Sequence, residues 1–111
     1  MKVVVAHSLD PEASHAAEEL VTRARSQLDG MPASAGLLYA ANDFDHAVLC
    51  ASVYEALGGI PMIGCTTDGE LSGGCGFHED SAVLVLFASE KITIRAGLGR
   101  SASLDPESAA R

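Results

Sequence analysis

The sequence predicts an α/β fold with a mixed sheet, in which strand and helix alternate as βαβαβ before an antiparallel ββ hairpin. Three observations carry this. Short β-branched or aliphatic runs stand at Lys2–Ala6, Ala35–Ala41 and Ile60–Gly64, and stretches with helical spacing separate them. A helix is the usual connection between parallel strands, so the three runs read as parallel strands of one sheet. After them, the apolar run Ala82–Ala88 and the alternating run Lys91–Gly97 are joined by only Ser89 and Glu90, a short link that suggests an antiparallel hairpin although this dipeptide is not a favoured hairpin turn.

The first run, Lys2–Ala6, has the valine content of a buried strand. Asp10, Pro11 and Glu12 then announce a helix. The Asp carboxylate accepts orphan amide protons of a first turn, proline at the first helical position loses no bond, and Glu suits the positive end of the dipole. Ala13, Ala16, Ala17, Leu20, Val21, Ala24 and Leu28 follow at helical spacing, with Glu18, Glu19, Arg23 and Arg25 on the other face. Asp29, Gly30 and Pro32 end it.

Ala35–Ala41 is the second strand, and Asn42 or Asp43 is the expected cap of a second helix with Ala47, Val48, Ala51, Tyr54 and Leu57 as its apolar side. Gly58 and Gly59 supply the left-handed stop. In the third strand Pro61 stands near the start, where a missing amide proton is tolerated. The glycine-rich stretch 65–80 shows no sustained period, and a connection of that length is uncommon unless it has a function. Lys91–Gly97 places Ile92, Ile94 and Ala96 on one face and Lys91, Thr93 and Arg95 on the other, which predicts a half-exposed strand.

The end of the chain repeats its beginning. Ser103-Leu104-Asp105-Pro106-Glu107 is identical to Ser8-Leu9-Asp10-Pro11-Glu12. This reads either as a second βα unit or as one good helix start used twice. A helix opened at Pro106 is too short to be stable alone, so residues 1–102 are expected to form a partial α/β domain and 103–111 the start of a further helix.

Bulk properties exclude several function classes. Apolar residues make up 48% and charged residues 20%, the composition of a folded domain. The net charge is -8 and the seven basic residues are scattered, so neither a nucleic-acid backbone nor an anionic membrane finds a basic stripe to hold. The longest apolar stretch, Ala82–Ala88, falls far short of the roughly twenty residues that span a bilayer. Val3–Ala6 is too short for the apolar core of a secretion signal. The three cysteines, Cys50, Cys65 and Cys75, form no disulfide framework, and together these features point to the cytoplasm.

In open α/β sheets ligands bind beyond the carboxyl ends of the strands. The first strand ends at His7 and Ser8, the second at Asn42, and the third at Gly64-Cys65-Thr66-Thr67-Asp68-Gly69-Glu70, so three parallel strands would bring these groups to one rim. Gly64 and Gly69 allow close backbone approach. Thr66, Thr67, Asp68 and Glu70 add hydroxyls and carboxylates. Carboxylates suit an ammonium and free amide protons suit a carboxylate, so a zwitterion such as an amino acid satisfies both. The same residues also suit a tight turn that caps the next element.

The run Pro61-Met62-Ile63-Gly64-Cys65-Thr66-Thr67-Asp68-Gly69-Glu70-Leu71-Ser72, with Gly76 and then Asp80-Ser81 opening an apolar strand, resembles the N-terminal part of the FIST sensory domain. The resemblance rests on a Gly-Cys-[Ser/Thr]-x-x-Gly-Glu turn. It implies an intracellular input module of a signal-transduction protein that binds a small ligand such as an amino acid. It also implies a partner in a C-terminal FIST region or a signalling output domain.

Because some members of that family are haem-based sensors, the histidines His7, His15, His46 and His78 are weighed as axial ligands, and none has a supporting pattern; no cofactor is expected. Cys75-Gly76-Phe77-His78 has ligand spacing but no second pair, so no metal site is expected. A different class of function is a thiol enzyme with Cys65 as nucleophile and His7 as base. Phosphate-cradle motifs are absent.

Overall fold

The computed structural model describes residues 1–111. The chain is an α/β domain whose elements run β1 (Lys2–Ser8), α1 (Ala13–Leu28), β2 (Ala35–Ala41), α2 (His46–Ala56), β3 (Met62–Thr67), β4 (Glu70–Ser72), β5 (Gly76–His78), β6 (Ala82–Ala88) and α3 (Pro106–Ala110). Four strands form a mixed sheet in the order β1-β6-β2-β3, and β4 and β5 form a separate two-stranded sheet. β6 is antiparallel to both β1 and β2, and β2 is parallel to β3. Hence β1, β2 and β3 all point the same way, as the crossover argument requires.

The antiparallel hairpin expected between Ala82–Ala88 and Lys91–Gly97 does not form. Both edges of β6 are occupied, by β1 and by β2, so no edge is left for the following segment, and Lys91–Gly97 carries no strand. The hairpin of this chain lies instead within 65–80, where β4 pairs with β5 through Glu70↔His78, Leu71↔Phe77 and Ser72↔Gly76. That stretch therefore has structure of its own, and β3 runs on through Cys65 and Thr66 to Thr67.

The core lies between the sheet and the two long helices. All seven apolar positions expected of α1 are buried, against Val4 and Ala6 of β1, Leu38 and Ala40 of β2, and Leu84 and Leu86 of β6. Alternation along the strands turns Val3, Val5, Leu37, Tyr39, Val83 and Val85 to the opposite face. That face has no helix over it, and Val3 and Val5 are exposed.

Helix ends differ from expectation by two residues or more. Glu12, not Asp10, caps α1 by accepting from the His15 amide at 2.8 Å, while Asp10 accepts from the Glu12 amide. Asp45 caps α2 rather than Asn42 or Asp43, accepting from Val48 at 3.2 Å. At α3 the repeated pentapeptide does what α1 does not do with it: Asp105 is the cap, with Pro106 in the first turn.

α2 also turns a different face inward. Leu49 and Val53 are buried, joined by Phe44 and Leu57, whereas Ala47, Val48, Ala51 and Tyr54 are exposed. Gly58 and Gly59 take positive φ after it, as the stop requires.

Candidate functional site: the strand-end rim and the β4–β5 hairpin

The register places Ser8 beside Ala82, Ala82 beside Ala40, and Ala41 beside Thr67, so the carboxyl ends of β1, β2 and β3 share one edge of the sheet. His7, Ser8, Asn42 and the Thr67–Glu70 turn all stand there. Asn42 donates to Asp68 across that rim at 3.2 Å.

Beneath the rim runs a buried polar chain. His7 is 5% exposed and Glu70 3%. Glu70 Oε1 accepts from the Ser81 amide at 3.0 Å and from the Ser81 hydroxyl at 2.7 Å, and Oε2 accepts from the Thr67 hydroxyl. His7 Nε2 lies 2.7 Å from Ser81 Oγ, and Nδ1 lies 2.7 Å from Ser72 Oγ.

Proton accounting assigns the direction. Ser81 spends its hydroxyl proton on Glu70, so it accepts from His7 Nε2–H, and a neutral His7 then accepts at Nδ1 from the Ser72 hydroxyl. Every buried side-chain polar atom has a partner. This chain links residues far apart in sequence, which is why residue spacing alone does not reveal it. The identities of Ser72 and Ser81 as its links carry no local signal.

Neutrality of His7 has a physical cause. Burial holds it below the ordinary imidazole range, the nearby His78 ring adds to this, Glu70 pulls the other way, and Arg23 reinforces the depression. His78 meets His7 edge-on with ring centres 5.6 Å apart, and Arg23 donates to the His7 carbonyl at 2.7 Å.

On acidification the unfolded chain takes up this proton first, near 6.5, and the folded chain only at lower pH. The unfolded state therefore binds more protons in that window. Stability carried by His7 is complete above the window and drains as pH falls through it. Denaturant midpoints at pH 7.5 and 5.5 are expected to show this loss, and a His7→Gln variant is expected to lose less over the same range. Identical pH profiles would remove His7 as the cause.

The hairpin is polar inside and apolar outside. Glu70 and Ser72 are buried toward the sheet, whereas Leu71 and Phe77 are 73% and 60% exposed. Two strands alone are marginal in water, so the polar chain to His7 and Ser81 is what seats the hairpin on the sheet.

Under it lies a hollow of about 390 Å³. Val5, Tyr39, Val83 and Val85 make its floor, and Thr67, Gly69, Glu70, Leu71, Ser72 and Gly73 its wall. Of the residues singled out from sequence, Thr67, Gly69 and Glu70 line this hollow directly. His7 lies beside it and opens instead on a second hollow on the β1 side of the hairpin. Ser8 is fully buried, and Asn42 with Asp68 stands at the rim outside.

Gly64 and Cys65 line a separate groove of about 280 Å³ between β3 and α2, and Thr66 is exposed without lining any of these hollows. A common edge is thus present, but the ten residues do not converge on one cavity.

The alternatives fare differently. Cys65 on β3 and His7 on β1 are separated by β2 and β6, three strand spacings or roughly 14 Å, so they do not form a nucleophile and base pair. His78 Nε2 is on the Cys75 carbonyl at 3.0 Å, so the Cys75–His78 spacing closes a turn, and no group of three or more His, Cys, Asp and Glu side chains has metal-holding geometry.

The residues do not fit a haem. Both His7 nitrogens are engaged, His15 stands exposed beside Asp10 and Glu12, and His78 is held as above. His46 has Nε2 on the Asn42 carbonyl, and the groove it lines, at about 280 Å³, lies below the usual range for drug-sized ligands.

The fold is an α/β domain with a one-sided mixed sheet, a polar strand-end rim and a hollow walled by a hairpin on polar anchors. The model of the FIST N domain matches residues 34–111, more than half of the chain, and the chain belongs to that family of signal-transduction sensory domains. No curated protein and no solved structure matched the chain. The matched span runs from β2 through α3, so His7, the hub of the polar chain, contributes from outside it. No helix is long and apolar enough to cross a membrane.

Proposed function

We propose that this domain receives a small amphipathic ligand, an amino acid with an apolar side chain, in the hollow between the β4–β5 hairpin and the open sheet face. The observation that carries this reading is the division of the hollow into an apolar floor and a polar wall. The side chain would lie on Val5, Val83 and Val85. An ammonium end would donate to the hydroxyl oxygens of Thr67 and Ser72, whose own protons go to Glu70 and His7, with Gly69 and Gly73 allowing the backbone to come close.

Glu70 is committed to Ser81 and Thr67, so its part is to hold the wall rather than to pair with an ammonium group. Ligand in the hollow would favour the seated hairpin over any displaced one, and that difference in population is the signal an output domain reads.

Thermal melts of the chain with single amino acids at millimolar concentration test the proposal. A ligand present at a hundred times its Kd adds about 2.7 kcal/mol, which raises the melting temperature by on the order of ten degrees for a domain of this size. Leucine or isoleucine is expected to act and aspartate or lysine not. Protection of the amides of residues 67–78 from hydrogen exchange should rise in parallel. If no amino acid moves either quantity, the reading fails.

A further inference from the structure

We propose that the outer edge of β3 is a strand-acceptor site, filled by the Lys91–Gly97 segment of a second copy of this chain in a reciprocal exchange. The two edges of the sheet are treated differently. At β1, side chains of α1 occupy the outward carbonyls: Arg23 donates to His7 and Gln27 to Val5, each at 2.7 Å. Such capping is one way to keep an edge from pairing with another chain.

At β3 nothing comparable exists. It is the last strand of the sheet, no charged residue occurs from Ile60 to Thr67, and Ile63 through Thr66 are exposed, Ile63 at 54%. An uncharged, exposed edge is a template for another strand.

The same molecule holds a strand without a sheet. Lys91–Gly97 alternates apolar and polar residues, yet no backbone hydrogen bond ties Thr93–Arg100 to anything, and Ile92 is exposed. Its seven residues match the six of β3.

Its own copy cannot lay the whole segment there. The outer side of β3 is three strand spacings from β6, roughly 14 Å, whereas the three residue steps from Ala88 to Lys91 span at most about 11 Å. Within its own copy the segment instead touches the open face, where Ile94, Arg95 and Ala96 line a small hollow with Leu37, Ile63 and Phe87. The segment itself carries Lys91 and Arg95 with no carboxylate, and the acceptor edge carries no charge, so no like-charge pair opposes its seating there.

Light scattering on the chain across a concentration series tests this, with circular dichroism to confirm the fold of each variant. The wild type is expected to dimerise. Ile63→Lys, at an exposed position of the acceptor edge, and Thr93→Pro, at a residue whose amide has no hydrogen bond to lose, should each weaken the dimer at least about tenfold. An equal mixture of the two should recover a heterodimer tighter than either variant alone, because each keeps the half that the other lacks. A monomer at every concentration overturns the proposal. A dimer sensitive to Ile63→Lys but not to Thr93→Pro also overturns it, since that pattern means edge-to-edge pairing of β3 with β3.

Discussion

Glu70→Ala is expected to destabilise the domain by roughly 2–4 kcal/mol, because it leaves a buried amide proton and buried hydroxyls without an acceptor. The Ser81 amide cannot turn elsewhere, and the Ser81 and Thr67 hydroxyl protons lose their acceptor at the same time, Ser81 Oγ keeping only the bond from His7. The loss should be local before it is global. Since Glu70 and Ser72 are the inward face of the hairpin, hydrogen exchange of residues 70–78 should accelerate at denaturant concentrations where β6 is still protected.

Glu70→Gln keeps one acceptor oxygen for Ser81 and lets the Thr67 hydroxyl reverse its role, so it is expected to lose less than half as much. Equilibrium unfolding of the two variants in urea provides the measurement. A Glu70→Ala protein within about 0.5 kcal/mol of wild type, the range of ordinary surface changes, would show that the polar chain does not hold the hairpin.

Gly64→Ala is the second large effect. A Cβ at Gly64 would stand 1.8 Å from the Leu38 carbonyl oxygen and 2.8 Å from its carbon, both backbone atoms of the neighbouring strand. No rotamer change relieves that contact. β3 has to move away from β2, at a cost of about 2–3 kcal/mol if it follows other overpacked sites.

Gly73 is the matched control, with open space around it and no positive φ. There alanine is expected to be neutral or to stabilise by about 0.4–1 kcal/mol through the unfolded chain. Urea midpoints falling for Gly64→Ala and unchanged or rising for Gly73→Ala would bear out the distinction. Equal effects at both positions would refute it.

The Gly64 result also bears on the glycine turn itself. From sequence, Gly64 reads as a position where backbone approaches a ligand. In the structure the close approach at Gly64 is to β2, and the residues of that turn that line the hollow under the hairpin are Thr67, Gly69 and Glu70.

Local pattern sufficed wherever polarity contrast is strong. Along α1 the apolar residues recur on one face with Glu and Arg opposite, and every one of the seven expected positions is buried. The direction of β1, β2 and β3 was legible for a similar reason: helices between strands leave the chain little choice but to return the same way. α2 defeated the same method. Glu55 is its one Asp, Glu, Lys or Arg, so its sequence offers no polar side against which to choose an apolar one, and packing under α1 selected Leu49 and Val53.

Chain order and local chemistry settled β1, β2, β3 and β6, the first helix and the shared edge at which His7, Asn42 and the glycine-acid turn stand. Lateral strand order, the seating of the hairpin and the polar chain were settled by tertiary structure alone. β6 entered between β1 and β2 because its two apolar faces and both ladders of backbone groups are satisfied only in the middle of a sheet. That placement stranded Lys91–Gly97. It also set Ser81 between His7 and Glu70, residues 74 and 11 positions away in the chain, and no periodicity read along a sequence encodes contacts of the longer kind.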